Sequence, residues 1–398
     1  MTFSTLGLCD PILQALNDVG YEAPTAIQEQ AMPPILAGRD VLAKAQTGTG
    51  KTASFVLPIL QTFKDKTNRR AKRIKALILV PTRELAIQVE DNIRLYGAHL
   101  SLTSMAMVGG VDIEPQKAKL VEGVDILVAT PGRLIDLMHQ RALHFDELEF
   151  LVLDEADRML DMGFIGDINK IIERLPERRQ SLLFSATLSD KVRLLAKTAI
   201  VNAVEISIAA DKKSTPPITQ WLVTVDKHNK SALLTHLINE NGWKQALIFI
   251  RTKHGAAKLV TQLEKRGIKA ESIHSGRSQV VRTQLLADFK AGKIGFLVAT
   301  GIAARGIDID DLDRVVNYDL PDDAHDYVHR IGRTGRAGVS GEAVSLISMD
   351  DFKRLCAIES RLGHIIDRKE VAEFKAVKEV PISILNYVKK SAKKPQRR

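Results

Sequence analysis

The stretch "AKAQTGTGKTASF" (residues 43–55) has the composition of a loop that holds phosphate. An apolar segment, "DVLAKA", feeds it and a helix-forming segment follows. Gly48 and Gly50 let the backbone curl so that successive N–H groups converge on phosphate oxygens at a helix N-terminus. Lys51 is then placed to reach the β- and γ-phosphates, and the Thr52 hydroxyl to ligate Mg2+. Ala45 stands where the common pattern has its first glycine, so the loop alone also fits a glycine-rich turn with a chance lysine.

A second segment narrows the choice. "FLVLDEADRML" (150–160) is an apolar strand ending in acids, and carboxylates there are costly unless a cation meets them. Asp154 can hold Mg2+ through water, and Glu155 is placed to activate an attacking water. The two motifs together predict a nucleotide hydrolase. "HRIGRTGR" (329–336) adds Arg333 and Arg336, three apart, which share a face if the segment is helical. Two such arginines can reach a γ-phosphate as fingers, an effect of about 10³–10⁵ in rate. They lie far along the chain from the phosphate loop, so hydrolysis is expected to require domain closure.

The elements that position these residues alternate. Strands read at "ALILVP" (76–81), "DILVAT" (125–130), "FLVLDE" (150–155) and "SLLFSAT" (181–187). Between them "RELAIQVEDNIRLYG" places Leu85, Val89 and Ile93 on one helical face. The rhythm pauses at the polar, proline-bearing "AADKKSTPPITQ" (209–220). It resumes with strands at 246–252, 271–275, 295–300, 314–320 and 341–348. Helices read at 253–266 and from the N-cap Ser278 to Gly292. The prediction is an α/β protein of two mostly parallel sheets. Its parts are residues 1–208, a linker 209–217, residues 218–370, and an extension 371–398.

The chain has 398 residues, with 45% apolar and 26% charged, a globular balance. No apolar run approaches the roughly 18 residues of a membrane span, and the first residues do not read as a signal peptide. Cys9 and Cys356 make no disulfide framework, which points to the reducing cytoplasm. Trp221 and Trp243 lie outside the motifs and are assigned to packing. Net charge is +9 and the isoelectric point about 9.4, which favours a polyanionic partner. Six of the last ten residues are Lys or Arg and none is acidic.

Taken in order, "GYEAPTAIQ" (20–28), "AQTGTGKT", "PTREL" (81–85), "GG" (109–110), "TPGR" (130–133), "DEAD", "SAT" (185–187), "SQVVR" (278–282), "ATGIAARGID" (299–308) and "HRIGRTGR" carry a resemblance. From Phe3 to about residue 370 the sequence resembles a DEAD-box RNA helicase. The short N-terminus, "IIDRKEVAEF" and the basic tail look most like the bacterial RhlE-type subfamily. The resemblance implies two RecA-like doubly wound parallel-sheet domains, ATP and Mg2+ as cofactors, and RNA, single-stranded or short duplex, as partner, with no membrane. It admits ribosome-assembly or RNA-decay proteins as partners, which no residue specifies. Ala45 belongs to that family's own phosphate loop.

Residue by residue, the resemblance puts adenine against Gln28 with Phe3 stacked on it and Tyr21 and Thr25 beside it. Gln46, Thr47, Gly48, Thr49, Gly50, Lys51 and Thr52 surround the phosphates, Thr52 and Asp154 hold the metal, and Asp308 binds the ribose. Pro81, Thr82, Arg83, Gly109, Gly110, Thr130, Pro131, Gly132 and Arg133 are first-domain RNA contacts. Arg251, Thr252, Gln279, Arg282 and Thr300 serve the second domain. Ser185, Thr187, Asp157 and His329 couple hydrolysis to strand separation. Arginines and glycine N–H groups grip phosphates without reading bases, so RNA binding is expected to ignore sequence. One position departs from the pattern: Gly301 replaces the acid that usually follows Thr300.

There are two rivals: a DNA translocase, which shares the two-domain engine but usually carries other signatures in place of "GYEAPTAIQ" and "DEAD", and an ATP-gated RNA clamp that need not unwind, whose sequence could be identical. If all six basic tail residues touch one RNA strand, deleting 389–398 should lower the log–log salt slope of RNA binding by up to about 4. ATP affinity should not change, and an unaltered slope would show that the tail makes no phosphate contacts.

Overall fold

The computed structural model describes residues 2–45, 48–65, 70–208, 218–301, 312–335 and 341–385. The chain divides into two compact units, residues 1–210 and 211–398. The first carries strands β1 (Val41–Lys44), β2 (Ala76–Leu79), β3 (Ser104–Met107), β4 (Ile126–Ala129), β5 (Phe150–Leu153), β6 (Gln180–Ser185) and β7 (Val204–Ser207). They pair in the order β3-β4-β2-β5-β6-β1-β7, every pair parallel.

The second unit repeats the plan. Its strands are β8 (Thr219–Thr224), β9 (Ala246–Ile250), β10 (Ala270–Ile273), β11 (Phe296–Thr300), β12 (Arg314–Asn317), β13 (Glu342–Ile347) and β14 (Asp367–Lys369). Their order, β10-β11-β9-β12-β13-β8-β14, is the first sheet's order renumbered, again all parallel. Two parallel-sheet α/β units of RecA-like form therefore follow one another in the chain.

Parallel strands are joined by helical crossovers, which cover both faces of the sheet. β2 shows the result in sequence. Ala76 and Ile78 enter one apolar cluster, and Leu77 and Leu79 enter the cluster on the other face. β9 divides likewise, with Ala246, Ile248 and Ile250 on one side and Leu247 and Phe249 on the other. Such strands read as continuous apolar runs, which is why the central ones are legible. The edge strands β7 and β14 and the short-patterned β8 are not, because each carries polar residues toward solvent; β3 is four residues long and buries its one polar residue, Ser104.

Side chains fix where helices begin. The Thr82 hydroxyl accepts from Leu85 N and starts the helix Arg83–Tyr96. Thr252 does the same through Gly255 N, and Ser278 through Val281 N. Past residue 371 the second unit remains packed: Val380 joins its core, and Arg368 donates to the carbonyls of Val380 and Pro381. Trp221 and Trp243 are both buried. Among the described residues no helix is long and apolar enough to cross a membrane.

A buried ion pair ties the strand ends of the first unit. Lys75 donates to Asp125 at 2.8 Å, and Asp125 also accepts from Thr103 N and Oγ1, both at 3.0 Å. Burial alone would raise the proton affinity of this carboxyl; the bonds from Lys75 and Thr103 outweigh it and hold the group below its ordinary 3.8. Its stabilising contribution is therefore present above that value and lost as pH falls through the depressed one. Lys75→Met should destabilise the protein by about 3 kcal/mol by leaving the carboxylate unpaired. Lys75→Met/Asp125→Asn should recover most of that in a denaturant titration; equal losses for the single and double variants would refute the pairing.

Candidate functional site

In the first unit the motif residues follow the carboxyl ends of the parallel strands. β1 leads to the phosphate loop, β2 to Pro81–Arg83, β3 to Gly109–Gly110, β4 to Thr130–Arg133, β5 to Asp154–Glu155 and β6 to Ser185–Thr187. Chain direction alone gathers six separated segments on one edge.

Ala45 answers the question its loop raised. It is 1% exposed, packs in the core, and donates its N–H to the Ser185 carbonyl at 3.0 Å. Its φ is not positive, so a methyl there is an asset and no glycine is needed. Gly48 and Gly50 do have positive φ, +81° and +88°. A Cβ on Gly50 would fall 2.5 Å from Gln28 Nε2 and 3.0 Å from Thr25 Oγ1. Gln28 Nε2 donates to the Gly50 carbonyl, while Thr25 and Gln28 form a capping box. The adenine-reading segment thus packs directly on the phosphate loop. Gln46 and Thr47 lie outside the described residues.

Lys51 opens the helix Lys51–Phe63 and is 6% exposed. Its Nζ is buried and has no hydrogen-bond partner among the described residues. Thr49 and Thr52 flank it. Asp154 is 3% exposed, and burial first, then the charges of Glu155 and Asp157, push its carboxyl up to about 6 despite Lys51. A buried ammonium without a partner and a carboxyl that resists ionisation fit an anion and a cation that arrive together.

Glu155 sits at φ 52°, in the left-handed region that side chains avoid. Its Oε2 accepts from Arg158 Nη1 at 2.7 Å, with both side chains buried. Sequence reasoning missed Arg158, although the i, i+3 spacing was visible. Asp157 accepts from both Thr187 N (2.9 Å) and Thr187 Oγ1 (3.0 Å), and Ser185 Oγ donates to the Thr187 carbonyl. The structure therefore brings Asp157, Ser185 and Thr187 together.

Arg83 lies across the Gly109–Gly110 turn so closely that a side chain on Gly110 would collide with its guanidinium. Arg133 Nη2 donates to the Val111 carbonyl at 2.9 Å, while its buried Nη1 has no partner among the described residues. Thr130 precedes and Pro131–Gly132 open the helix Pro131–His139. Arg83, Gly109, Gly110 and Arg133 form one cationic corner. Tyr21 is exposed, its hydroxyl 3.2 Å from that of Tyr96. Phe3 is 5% exposed and packed in the core.

The second unit places its own motif residues. Gln279 and Arg282 are 4% and 6% exposed, because the helix capped by Ser278 turns their shared face inward and leaves Val280 outside. The helix Ala324–Ile331 ends before Arg333, with Gly332 as its cap and Gly335 at φ +70°, so Arg333 stands in a turn and not on that helix. Arg333 is buried in the turn; His329 is on the helix; Arg336 and Asp308 lie outside the described residues.

Arg251 is 40% exposed and follows β9, its backbone N–H donating to Asp319. Thr252 is committed to its cap, and Thr300 ends β11. A Cβ on Gly301 would stand 3.2 Å from Nη2 of Arg330. Arg330, also missed from sequence, is buried over the Phe249 ring and donates to Asn317 Oδ1 (3.2 Å) and the Asp319 carbonyl (2.8 Å).

Known proteins share this arrangement. The profile of the DEAD/DEAH box helicase family matches residues 25–195, and that of the helicase conserved C-terminal domain matches 229–338. A DEAD-box ATP-dependent RNA helicase CshA of Bacillus cereus is 40% identical over 93% of this chain and 70% of its own. An ATP-dependent RNA helicase CshA of Listeria monocytogenes is 42% identical over 90% and 68%. Among solved structures, S. cerevisiae Dbp5 bound to RNA and ADP BeF3 aligns with a TM-score of 0.83 at 32% identity, covering 94% of this chain and 96% of that one. Mss116 bound to ssRNA and UDP-BeF aligns at 0.81 and 30%, covering 93% and 80%. With the phosphate loop, the acid pair and two parallel-sheet units in place, the chain belongs to the DEAD-box family of ATP-dependent RNA helicases.

Proposed function

We propose that this chain hydrolyses ATP to separate short RNA duplexes locally, holding RNA by its backbone. The observation that carries the reading is Lys51 Nζ, buried without a partner beside buried Asp154. Lys51 takes the β- and γ-phosphates, and Gln28 and Tyr21 face the adenine side of the loop. Thr52 and Asp154 would hold Mg2+, which would supply positive charge toward the phosphates. Glu155, oriented by Arg158, accepts the proton of a water that attacks the γ-phosphorus as ADP leaves. Arg333 and Arg336 offset the charge that builds on the transferred group. Turnover therefore depends on both units.

Arg83, Arg133, Arg251 and the Gly109–Gly110 N–H groups grip RNA phosphates, and 2′-hydroxyl contacts give preference over DNA. Gln279 and Arg282 belong to the second unit's part of the RNA site. Within the family, "IIDRKEVAEF" supports an RhlE-type placement, and two isolated thiols support the cytoplasm.

Lys51→Ala should weaken ATP binding, whereas Glu155→Gln should keep binding and lower RNA-stimulated turnover by about 10²–10⁴. The Glu155→Gln protein should stay on RNA while ATP is bound. Normal turnover in that variant would remove Glu155 as the base, and equal stimulation by RNA and DNA would refute the RNA reading.

Gly301 yields a separate expectation. Its φ is outside the left-handed region, so a side chain is permitted. An Asp there would add a charge-assisted bond to Arg330 and stiffen the segment after Thr300. Gly301→Asp should raise RNA-stimulated turnover and leave basal turnover unchanged. Flat or lower stimulation would show that Asn317 and Asp319 already hold Arg330 sufficiently.

A further inference from the structure

The opposite edge of the first sheet, where its strands begin, carries a feature that ATP and RNA leave unused. The helices Pro131–His139 and Ile165–Ile172 end there, and the segment 140–148 leads into β5. Between them lies an open cavity of about 520 Å³. Half-buried Ile135 and Met138, with the nearly buried Leu143 and Phe145, give it an apolar floor. A second cavity of about 350 Å³ adjoins it, and Arg141 lines both.

The rim is cationic. Arg141, Lys170 and Arg174 line the larger cavity, and none has an ion pair among the described residues. Neighbouring acids are already engaged: Asp146 by Arg73, Glu147 by Arg70, and Glu114 by Lys117. Glu173 is the one lining acid left without such a partner among the described residues. His139 and Lys170 occupy last helical turns, where a cation offsets the helix dipole, so those two have a structural reason to be basic. Arg141 and Arg174 lie past the helix ends and lack it.

Backbone strain adds an independent observation. Four non-glycine described residues have positive φ: Lys72, Arg141, Glu155 and Asn202. Glu155 belongs to the nucleotide site. Lys72 and Arg141, at 60° and 50°, both line the smaller cavity. Left-handed residues of this kind cost stability and persist where surroundings demand them. A glycine would serve either turn at lower cost, yet both positions carry long cations.

We propose that this groove is a docking site for an acidic protein segment that seats an apolar side chain on Ile135, Met138, Leu143 and Phe145 and its carboxylates on Arg141, Lys170 and Arg174. Charge complementarity selects an anion, and the apolar floor selects a peptide over a nucleic acid strand, whose phosphates would leave that floor uncovered. The groove shares the helix Pro131–His139 with the RNA-motif residues Pro131–Arg133 but lies at its other end, so occupation leaves the RNA corner accessible.

The test uses the full chain and a fluorescein-labelled peptide with Glu and Asp flanking a Leu-Phe pair. Fluorescence anisotropy should show binding that weakens about tenfold or more in Arg141→Glu/Lys170→Glu/Arg174→Glu. Basal ATPase and affinity for oligouridylate should be unchanged in that variant. Arg141→Gly, which suits the left-handed turn, should melt no lower than the wild type and still bind the peptide more weakly. Peptides with Gln and Asn for the acids, or with Ser for Leu and Phe, should both bind worse. Undiminished binding of the triple variant to the peptide, or of the wild type to the Ser peptide, would overturn the proposal. Loss of oligouridylate affinity instead would assign the groove to RNA.

Discussion

A lysine ammonium buried without a hydrogen-bond partner, beside a carboxyl that burial holds near half-protonation at about pH 6, is the constraint on which the nucleotide site depends. Among the described residues Lys51 Nζ has no partner and Asp154 accepts only from Glu155 N at 2.9 Å, and a phosphate chain that brings a cation meets both charges. The rest of the first unit serves to keep them that way. Gly50 turns the loop so that Lys51 starts a helix, and Gln28 closes over the loop from the other side. Asp154 follows β5, buried on both faces, where water cannot relax its charge.

One strained residue stands at the nucleotide site. Glu155 is held in the left-handed region immediately after a buried strand, and Arg158 fixes its carboxylate within one helical turn. The same half-turn supplies Asp157 to Thr187, so the acid motif and the Ser185–Thr187 segment form one hydrogen-bonded body. A shift in either is felt by both, which is the physical content of coupling between hydrolysis and the neighbouring strand end.

Both units use one strand order, yet they specialise at their loops. The first gathers phosphate, acid and RNA-gripping groups. The second buries its central polar groups in pairs, Lys230 with Asp351 at 2.9 Å and Arg330 with Asn317 and the Asp319 carbonyl. These contacts set the loop that bears Arg251 and the turn that bears Arg333. Burial of that kind costs solvation and returns orientation.

The sequence by itself determined the fold class and the nucleotide site. Apolar runs of strand length, glycines before Lys51 and acids after β5 are local signals, and each has a physical meaning within a few residues. The edge strands β7 and β14 escaped because a half-solvated strand has no such run, and β14 is only three residues long. What the tertiary structure decided were matters of facing and partnership. It turned Gln279 and Arg282 inward, buried Phe3, ended the helix Ala324–Ile331 before Arg333, and paired Glu155 with Arg158. It also joined Lys72 and Arg141, far apart in the chain, at one groove. Burial and pairing arise from which surfaces meet, and a linear pattern carries that information only where helix or strand period happens to fix it.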